Sequence, residues 1–286
     1  MDLSMRLNFL FGSEVYVRMR RQLVLVREHL ITHRHRVYGL GTICSGSLGE
    51  GVAYPTSDDD VMAHSKKYRV VKTYRDATQS YDLLLVPSEF SPGYCLLLDV
   101  KGSNPYHLIH VIDEMPFLSS SLSKELFVGD RNVIHGPCIS AIIGSGEYDL
   151  AFCIRCNTWP DVAYKWLTRN RSFNWPSWDI IRNIVQSGCH VVPIGDPHSP
   201  NCHHEWRISF SVAERTLMHS FNHAQFLIYN LLRLTLKRII EREVPDVLCS
   251  YFMKTTLFYT AENTPVELWR VDNLETCFKF LSVGVV

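Results

Sequence analysis

The sequence lacks several features that would assign it to a specialised class of protein. It has no apolar run near the roughly 18 residues that span a bilayer, and its first residues do not form a signal peptide pattern. Its nine cysteines are odd in number and irregularly spaced, which favours a reducing cytoplasm or nucleus over a disulfide framework. Lysine plus arginine number 29, as do aspartate plus glutamate, so any nucleic-acid surface would have to be a local patch.

The pattern of the chain changes from strands to helices along its length. With 286 residues, 46% of them hydrophobic, the chain can form one large domain or two lobes. Apolar residues at helical spacing, without Pro or Gly, predict a long helix at 14–36 that is buried along much of its length. Strands are predicted at 58–65, 82–87, 93–100 and 147–156, and later helices at 212–243, 251–261 and 266–281. This order predicts an α+β fold.

A line of arginines follows the predicted first helix. Arg20, Arg27 and Arg34 recur every seven residues and therefore share one face. Such a line is either a solvated basic edge or a surface that contacts phosphates, and the pattern alone favours the solvated edge.

The stretch CSGSLGEGVAYPTSDDDVM, residues 44–62, is the first candidate for chemistry. Because side chains alternate along a strand, Asp58 and Asp60 would share one face and Asp59 would point to the other. Two carboxylates on one face repel each other unless a cation lies between them, and Mg²⁺ prefers such oxygen ligands. The Gly46–Ser47 turn could offer N–H groups and a hydroxyl to a triphosphate. A solvated acidic turn is the alternative.

A third carboxylate supports the hypothesis of a metal site. Asp149 stands at the start of an apolar predicted strand, where an unpaired carboxylate needs a reason. Three acidic ligands could hold two metal ions, one at an attacking hydroxyl and one at a leaving pyrophosphate.

Four blocks of the sequence, in this order, resemble the Mab-twenty-one (male abnormal) family of nucleotidyltransferases, which includes cyclic GMP-AMP synthase and the animal cyclic GMP-AMP synthase-like receptors. The blocks are GSLGEG…SDDDVM, EYDLAFCIRCNTWP, EWRISFSVAE and CSYFMKTTLFYTAENTPVELW. The resemblance implies a bilobal nucleotidyltransferase fold of the α+β class. Residues 1–210 would form a core with a mixed β-sheet and a long spine helix, and residues 211–286 a helical C-lobe. Because family members continue further, we expect this C-lobe to be short or truncated.

The resemblance also implies roles for individual residues. The catalytic, metal-binding triad for Mg²⁺ or Mn²⁺ would be Asp58, Asp60 and Asp149. Nucleotide contacts are implied for Gly46, Ser47, Arg207, Ser209, Ser250 and Tyr251. Tyr251 would stack on a base, which is tolerant of base identity. An ion-pair role for Arg207 and a core position for Tyr251 are the alternatives, and Arg233 or Lys237 could take the place of the base-side lysine of the family.

A structural zinc site is not expected. Where the vertebrate synthase carries its zinc insertion, this chain reads SVAERTLMHSFNHAQFL, without a cysteine. Cys202, His203 and His204 are adjacent and do not have the spacing of zinc ligands. Cys153 and Cys156 would face opposite sides of a strand, which argues against metal or redox use.

The activity implied by the resemblance is synthesis of a cyclic dinucleotide from ATP, GTP or both, in innate immune sensing of double-stranded RNA or DNA. The candidate nucleic-acid contacts are Arg20, Arg27, Arg34, Lys66 and Lys67. No membrane partner is expected. Two alternatives stay open: a catalytically inactive scaffold or developmental regulator, and a transferase that adds single nucleotides to RNA or protein.

Overall fold

The computed structural model describes residues 2–53, 57–129, 132–143, 146–245 and 247–284. Contacts divide the chain into two units. The helical unit comprises 1–22, 168–182 and 216–286, and the sheet unit comprises 23–167 and 183–215. Within the described ranges, no helix is long and apolar enough to cross a membrane. The domain limits expected from the family, 1–210 and 211–286, stay a prediction.

The strands all lie in the sheet unit. They are β1 (Leu40–Cys44), β2 (Asp59–Val71), β3 (Asp82–Pro87), β4 (Tyr94–Asp99), β5 (Ile109–Ile112), β6 (Met115–Leu118), β7 (Val133–His135), β8 (Cys138–Ile143), β9 (Gly146–Cys156), β10 (Cys189–Val192) and β11 (Trp206–Ser209). Together with the helices they form a mixed α+β architecture, which confirms the predicted fold class.

The helices occur in both units. They are α1 (Leu3–Phe11), α2 (Glu14–Arg34), α3 (Gly46–Glu50), α4 (Ser120–Glu125), α5 (Tyr164–Thr168), α6 (Trp178–Ser187), α7 (Ser211–Ser220), α8 (His223–Thr235), α9 (Glu241–Glu243), α10 (Ser250–Glu262) and α11 (Leu274–Gly284). A π-helical segment, Leu236–Ile240, joins α8 to α9.

The sheet closes on itself within the sheet unit. Hydrogen-bonded neighbours follow the order β1-β2-β3-β4-β11-β10-β9-β8-β7, and β9 also pairs with β2. Six strands, from β2 through β3, β4, β11 and β10 to β9, therefore form a closed ring. β2 runs parallel to both β3 and β9 and antiparallel to β1. This long strand thus takes part in three pairings and connects the ring to its β1 edge.

Apolar side chains from all six strands fill the inner face of this ring. The cluster includes Val70, Leu83, Leu97, Ile154, Val191 and Ile208. A second cluster on the outer face includes Met62, Ala151 and Val192. Cys156 belongs to the inner cluster and Cys153 to the outer one, as strand alternation predicts.

The apolar residues of helix α2 form two stripes along the helix, one with Val17 and Val24 and the other with Tyr16, Leu23 and Leu30. The first stripe is buried and the second is exposed. Val17 and Val24 are 3% and 5% exposed. Tyr16, Leu23 and Leu30 are 59%, 66% and 62% exposed, so the prediction of extensive burial is wrong for this stripe. Helical spacing tells which residues share a face, but it does not tell whether another element covers that face.

A capping box divides the predicted helix 212–243. The Asn222 side chain accepts a hydrogen bond from the Gln225 N–H (3.0 Å), and the Gln225 side chain accepts one from the Asn222 N–H (2.9 Å). The chain therefore ends α7 and starts α8 at this point. Within α8, residues 226–229 are at most 2% exposed, so this helix is the core of the helical unit.

Sequence patterns predict four of the six ring strands and miss β10 and β11. Predicted strands 82–87, 93–100 and 147–156 correspond to β3, β4 and β9, whereas β2 extends six residues beyond its predicted end at 65. No pattern predicts β1, because its glycine and those that follow it indicate a turn. The short strands β7 and β8 carry no distinctive pattern.

His190 is a buried polar group on the outer face of β10. It is 5% exposed, its Nε2 has no hydrogen-bond partner, and its ring centroid lies 5.7 Å from that of His64. Burial, together with the nearby His64 and Arg155, lowers the pKa of His190 to about 3. The neutral form is therefore the one that the folded sheet accommodates.

The lowered pKa of His190 predicts that the folded protein loses stability at acidic pH. An unfolded histidine binds a proton near pH 6.5, so stability is fully present above that value and is lost as pH falls towards 3. We expect His190 to lower the unfolding free energy at pH 5 by about 2 kcal/mol relative to pH 7.5. Urea titrations at both pH values should show a smaller loss for His190→Gln than for the wild type. The exposed His198→Gln is the control, and an equally steep loss in His190→Gln would contradict the assignment.

Candidate active site

The parallel pairing of β2 with β9 brings two aspartates side by side. Asp60 is the register partner of Asp149, and Asp59 is the partner of Tyr148. Register partners point to the same face, so Asp60 and Asp149 share the outer face of the sheet. Asp58 precedes β2 and is exposed. The structure thus separates Asp59 from Asp60 as alternation predicts, whereas Asp58, expected on the face of Asp60, lies before the strand.

Asp59 forms an ion pair on the opposite face. Its Oδ2 lies 2.6 Å from Arg27 Nη2 on helix α2, and its Oδ1 lies 3.4 Å from Arg27 Nη1. The hydrogen bond to Asp59 raises the pKa of Arg27. Asp59 therefore connects β2 to α2.

A serine on the next strand contacts the third aspartate. Ser140 on β8 is the register partner of Asp149, and its hydroxyl donates a hydrogen bond to Asp149 Oδ1. The contact leaves Oδ2 as the second oxygen of this carboxylate for another ligand. Sequence reasoning missed Ser140, because only the pairing of β8 with β9 connects the two residues.

The glycine turn lies directly against Asp60. The Ser45 N–H donates to the Asp60 carbonyl (2.9 Å), and α3 begins at the next residue. Gly46 has φ +55°, and a Cβ at this position would stand 1.9 Å from Asp60 Oδ2. Only glycine fits here, so the Gly46–Ser47 turn and the Asp60 carboxylate form one local structure. Ser47 is half-buried at the second position of α3.

Two charged residues fix the chain just before this turn. Glu28 on α2 accepts hydrogen bonds from the Cys44 N–H (3.0 Å) and from Arg215 Nη1 (2.5 Å). The same Arg215 nitrogen donates to the Cys44 carbonyl (3.0 Å). The end of β1 is therefore held on both its N–H and its C=O side, which orients the turn that follows. No sequence pattern indicates this clamp.

Negative charge accumulates at Asp60. Burial, together with the carboxylates of Asp149 and Asp58, raises the pKa of Asp60 to about 6. Oxygen donors that repel one another suit a hard dication such as Mg²⁺. Among the described residues, however, no three His, Cys, Asp or Glu side chains form a ready metal-binding group. Asp60 and Asp149 are in position, and the exposed Asp58 would have to move to join them.

Arg207 and Ser209 lie on the same face as the carboxylates. On β11, Arg207 is the register partner of Val192, and Ser209 is the partner of His190. Burial raises the pKa of Cys138 to about 11, where Asp149 and Asp60 add to the effect and Arg207 opposes it. The acidic pair and Arg207 therefore act in opposite directions on the same thiol. Cys138 is a second neighbour that sequence reasoning missed.

The nucleotide-binding candidates of the helical unit lie at one end of α10. Ser250 is the first residue of this helix, and Tyr251 is 53% exposed, with Lys254 Nζ 5.8 Å from its ring centroid. Of the two candidates for the base-side lysine, Arg233 is 6% exposed and Lys237 is exposed. The exposure of Tyr251 differs from the core position considered as its alternative.

The predicted nucleic-acid contacts differ in their surroundings. Arg20 donates to the Phe11 carbonyl (3.3 Å), burial lowers its pKa, and Arg27 is paired with Asp59. Arg34 and Lys66 are exposed, and the Lys67 ammonium lies 3.6 Å from the centroid of the Tyr81 ring. Arg34, Lys66 and Lys67 are therefore the exposed candidates, and Arg34 and Lys66 are the two for which the structure shows no ring contact among the described residues.

The close approach of Gly46 to Asp60 should make the stability effects of substitutions at these two positions depend on each other. Gly39 also has a positive φ, +66°, but nothing lies within 4 Å of a Cβ there. We expect Gly39→Ala to cost about 1 kcal/mol of unfolding free energy from backbone strain, and Gly46→Ala about 1–3 kcal/mol more from overpacking. Denaturant unfolding measures both.

The cause of the extra cost can be tested with a double variant. In the Asp60→Ala background the carboxylate that meets the new methyl group is gone, so Gly46→Ala should become less costly. Gly39→Ala should cost the same in both backgrounds. Strict additivity of Gly46→Ala and Asp60→Ala would show that the two residues do not meet.

Part of the chain matches a known protein-family model. Residues 143–220 match the model described as the Mab-21 protein nucleotidyltransferase domain. The match includes Asp149, Arg207 and Ser209, while Asp58 and Asp60 lie outside it. It confirms the resemblance inferred from the four sequence blocks, and this part of the chain is thus similar to the Mab-21 protein nucleotidyltransferase domain.

Proposed function

We propose that this protein is a metal-dependent nucleotidyltransferase that joins ATP, GTP or both into a cyclic dinucleotide. The observation that carries the proposal is the pairing of Asp60 with Asp149 on one face of the sheet, with Gly46 against the Asp60 carboxylate. Carboxylates beside a glycine turn are the parts that phosphoryl transfer requires, because its catalysis is mostly positioning and charge stabilisation.

Each residue of the site has a distinct role in this proposal. Asp58, Asp60 and Asp149 would hold Mg²⁺ or Mn²⁺, which when bound activates an attacking ribose hydroxyl and neutralises a leaving pyrophosphate. The Gly46–Ser47 turn would bind the triphosphate through backbone N–H groups and a hydroxyl. Arg207, exposed on the same face as the acidic pair, would compensate phosphate charge.

Residues farther along the chain would bind the base and an activator. The resemblance to the family supports base stacking on Tyr251, with Ser250 beside it and Ser209 at a phosphate or sugar. The exposed Arg34 and Lys66 are the candidates for contact with double-stranded RNA or DNA, in which phosphate contacts would make binding weaken steeply with salt. An activated enzyme of this kind would act in innate immune sensing, in the cytoplasm or nucleus.

The acidic triad predicts which aspartates the reaction requires. We expect a phosphatase-resistant product from labelled ATP and GTP with Mg²⁺ or Mn²⁺ and a double-stranded nucleic acid. Asp58→Asn, Asp60→Asn and Asp149→Asn should abolish it. Asp59→Asn should retain it and lose only about 1 kcal/mol of stability with its partly exposed ion pair.

The assay separates the proposal from its alternatives. Single-nucleotide extension of RNA or protein that requires Asp60 would identify a transferase of a different product class. If the protein binds nucleotides equally well with and without metal, and forms no product with either RNA or DNA, the result would support a catalytically inactive scaffold. A product that survives Asp60→Asn would refute the assigned site.

The hydrogen bond from Ser140 predicts a measurable effect on metal affinity. If Ser140 orients Asp149, Ser140→Ala should weaken Mn²⁺ binding by roughly 10-fold, the usual effect of losing a hydrogen bond to a metal ligand. Ser140→Thr retains a hydroxyl and should restore most of the affinity. Water-proton relaxation of Mn²⁺ measures this without substrate. Equal affinity in the wild type and Ser140→Ala would exclude the orienting role.

A further inference from the structure

The sheet unit contains a cavity of about 160 Å³, partly open to solvent, that the candidate active site does not use. Ala63 and Ser65 of β2 line it, as do Phe152 of β9 and Phe127, which follows α4. Ala63 and Phe152 are register partners on the face opposite Asp60 and Asp149. The cavity therefore lies on the inner side of the strand ring, separated from the carboxylates by the sheet itself.

Small side chains create this cavity. Ala63 and Ser65 are alternate residues of β2, and Ser123 on α4 also contributes to the lining. A leucine at any of these positions would project into the space. Protein interiors contain few voids larger than a water molecule, because every unfilled gap loses dispersion contacts. These three small residues therefore leave the cavity unfilled by the protein's own side chains.

Two serine hydroxyls and the indole N–H of the lining form hydrogen bonds within the protein. Ser65 Oγ accepts from the Lys67 N–H (3.2 Å), and Ser123 Oγ donates to the Ser119 carbonyl (2.6 Å). The Trp206 indole N–H donates to the Leu118 carbonyl (2.9 Å). Water in a cavity needs two to four polar partners, and most of this lining is apolar. The cavity consequently favours an apolar occupant over water.

Aromatic rings make up much of the lining. The rings of Phe127 and Phe152 stack on each other, with centroids 3.4 Å apart and an interplanar angle of 11°, so an occupant would contact their outer surfaces, and Tyr68 and Trp206 complete the aromatic lining. From this lining we infer that the cavity binds an uncharged molecule built on a single six-membered aromatic ring. An apolar cavity of about 150 Å³ in another protein accommodates benzene, and offset or edge-on ring contacts provide specificity. A charged ring would bury its charge without a partner.

Fluorobenzene is a suitable probe, because ¹⁹F NMR reports its binding directly. We expect saturable binding to the wild-type protein and a rise in its thermal midpoint with ligand concentration. Ala63→Leu fills the cavity and should weaken binding at least 10-fold and abolish the thermal shift. Ala163→Leu makes the same change outside the lining and should bind as the wild type does. Benzylammonium, a charged ring of similar size, should not bind.

Ser123→Leu fills the same cavity from the helix side and decides the matter if Ala63→Leu does not fold. Loss of binding in each of these two leucine variants that folds, with binding retained in Ala163→Leu, supports the site. The absence of saturable binding to the wild type up to the solubility of fluorobenzene would overturn the inference. Wild-type affinity in a folded Ala63→Leu or Ser123→Leu protein, or equal binding of benzylammonium, would overturn it as well.

Discussion

The parallel register of β2 and β9 is the constraint on which the site depends. It places Asp60 beside Asp149, and a shift by one residue would put Asp59 on the outer face instead. The register brings like charges together and so opposes its own stability, as the raised pKa of Asp60 indicates. The surrounding contacts must therefore hold the two strands against this repulsion.

Helix α2 provides two of these contacts from adjacent residues. Arg27 pairs with Asp59 on the face away from the carboxylates, and Glu28 accepts from the Cys44 N–H at the end of β1. The helix thus fixes the start of β2 and the strand that leads into the glycine turn at the same time. Arg27 is predicted as a nucleic-acid contact, but in the structure it pairs with Asp59, the aspartate that faces away from the site.

Local sequence patterns are sufficient to predict some parts of the site. Strand alternation by itself separates Asp59 from Asp60, and the order of four motifs predicts the family and the fold class. The contribution of Ser140 depends on the pairing of β8 with β9, which no local pattern encodes. The exposure of Tyr16, Leu23 and Leu30 likewise depends on what packs over α2, because helical spacing fixes only which residues share a face.

Because side chains alternate along a strand, the two faces of β2 and β9 have separate roles. Asp60 and Ala63 are three residues apart on β2, as are Asp149 and Phe152 on β9, yet each pair is divided between opposite faces. The outer face must hold charges at fixed positions, which a tightly packed inner face would support best. A partly open cavity behind these same strands works against that requirement. An occupant that adds contacts there would stabilise the strands without touching the carboxylates, so filling the inner face would also support the charged outer face.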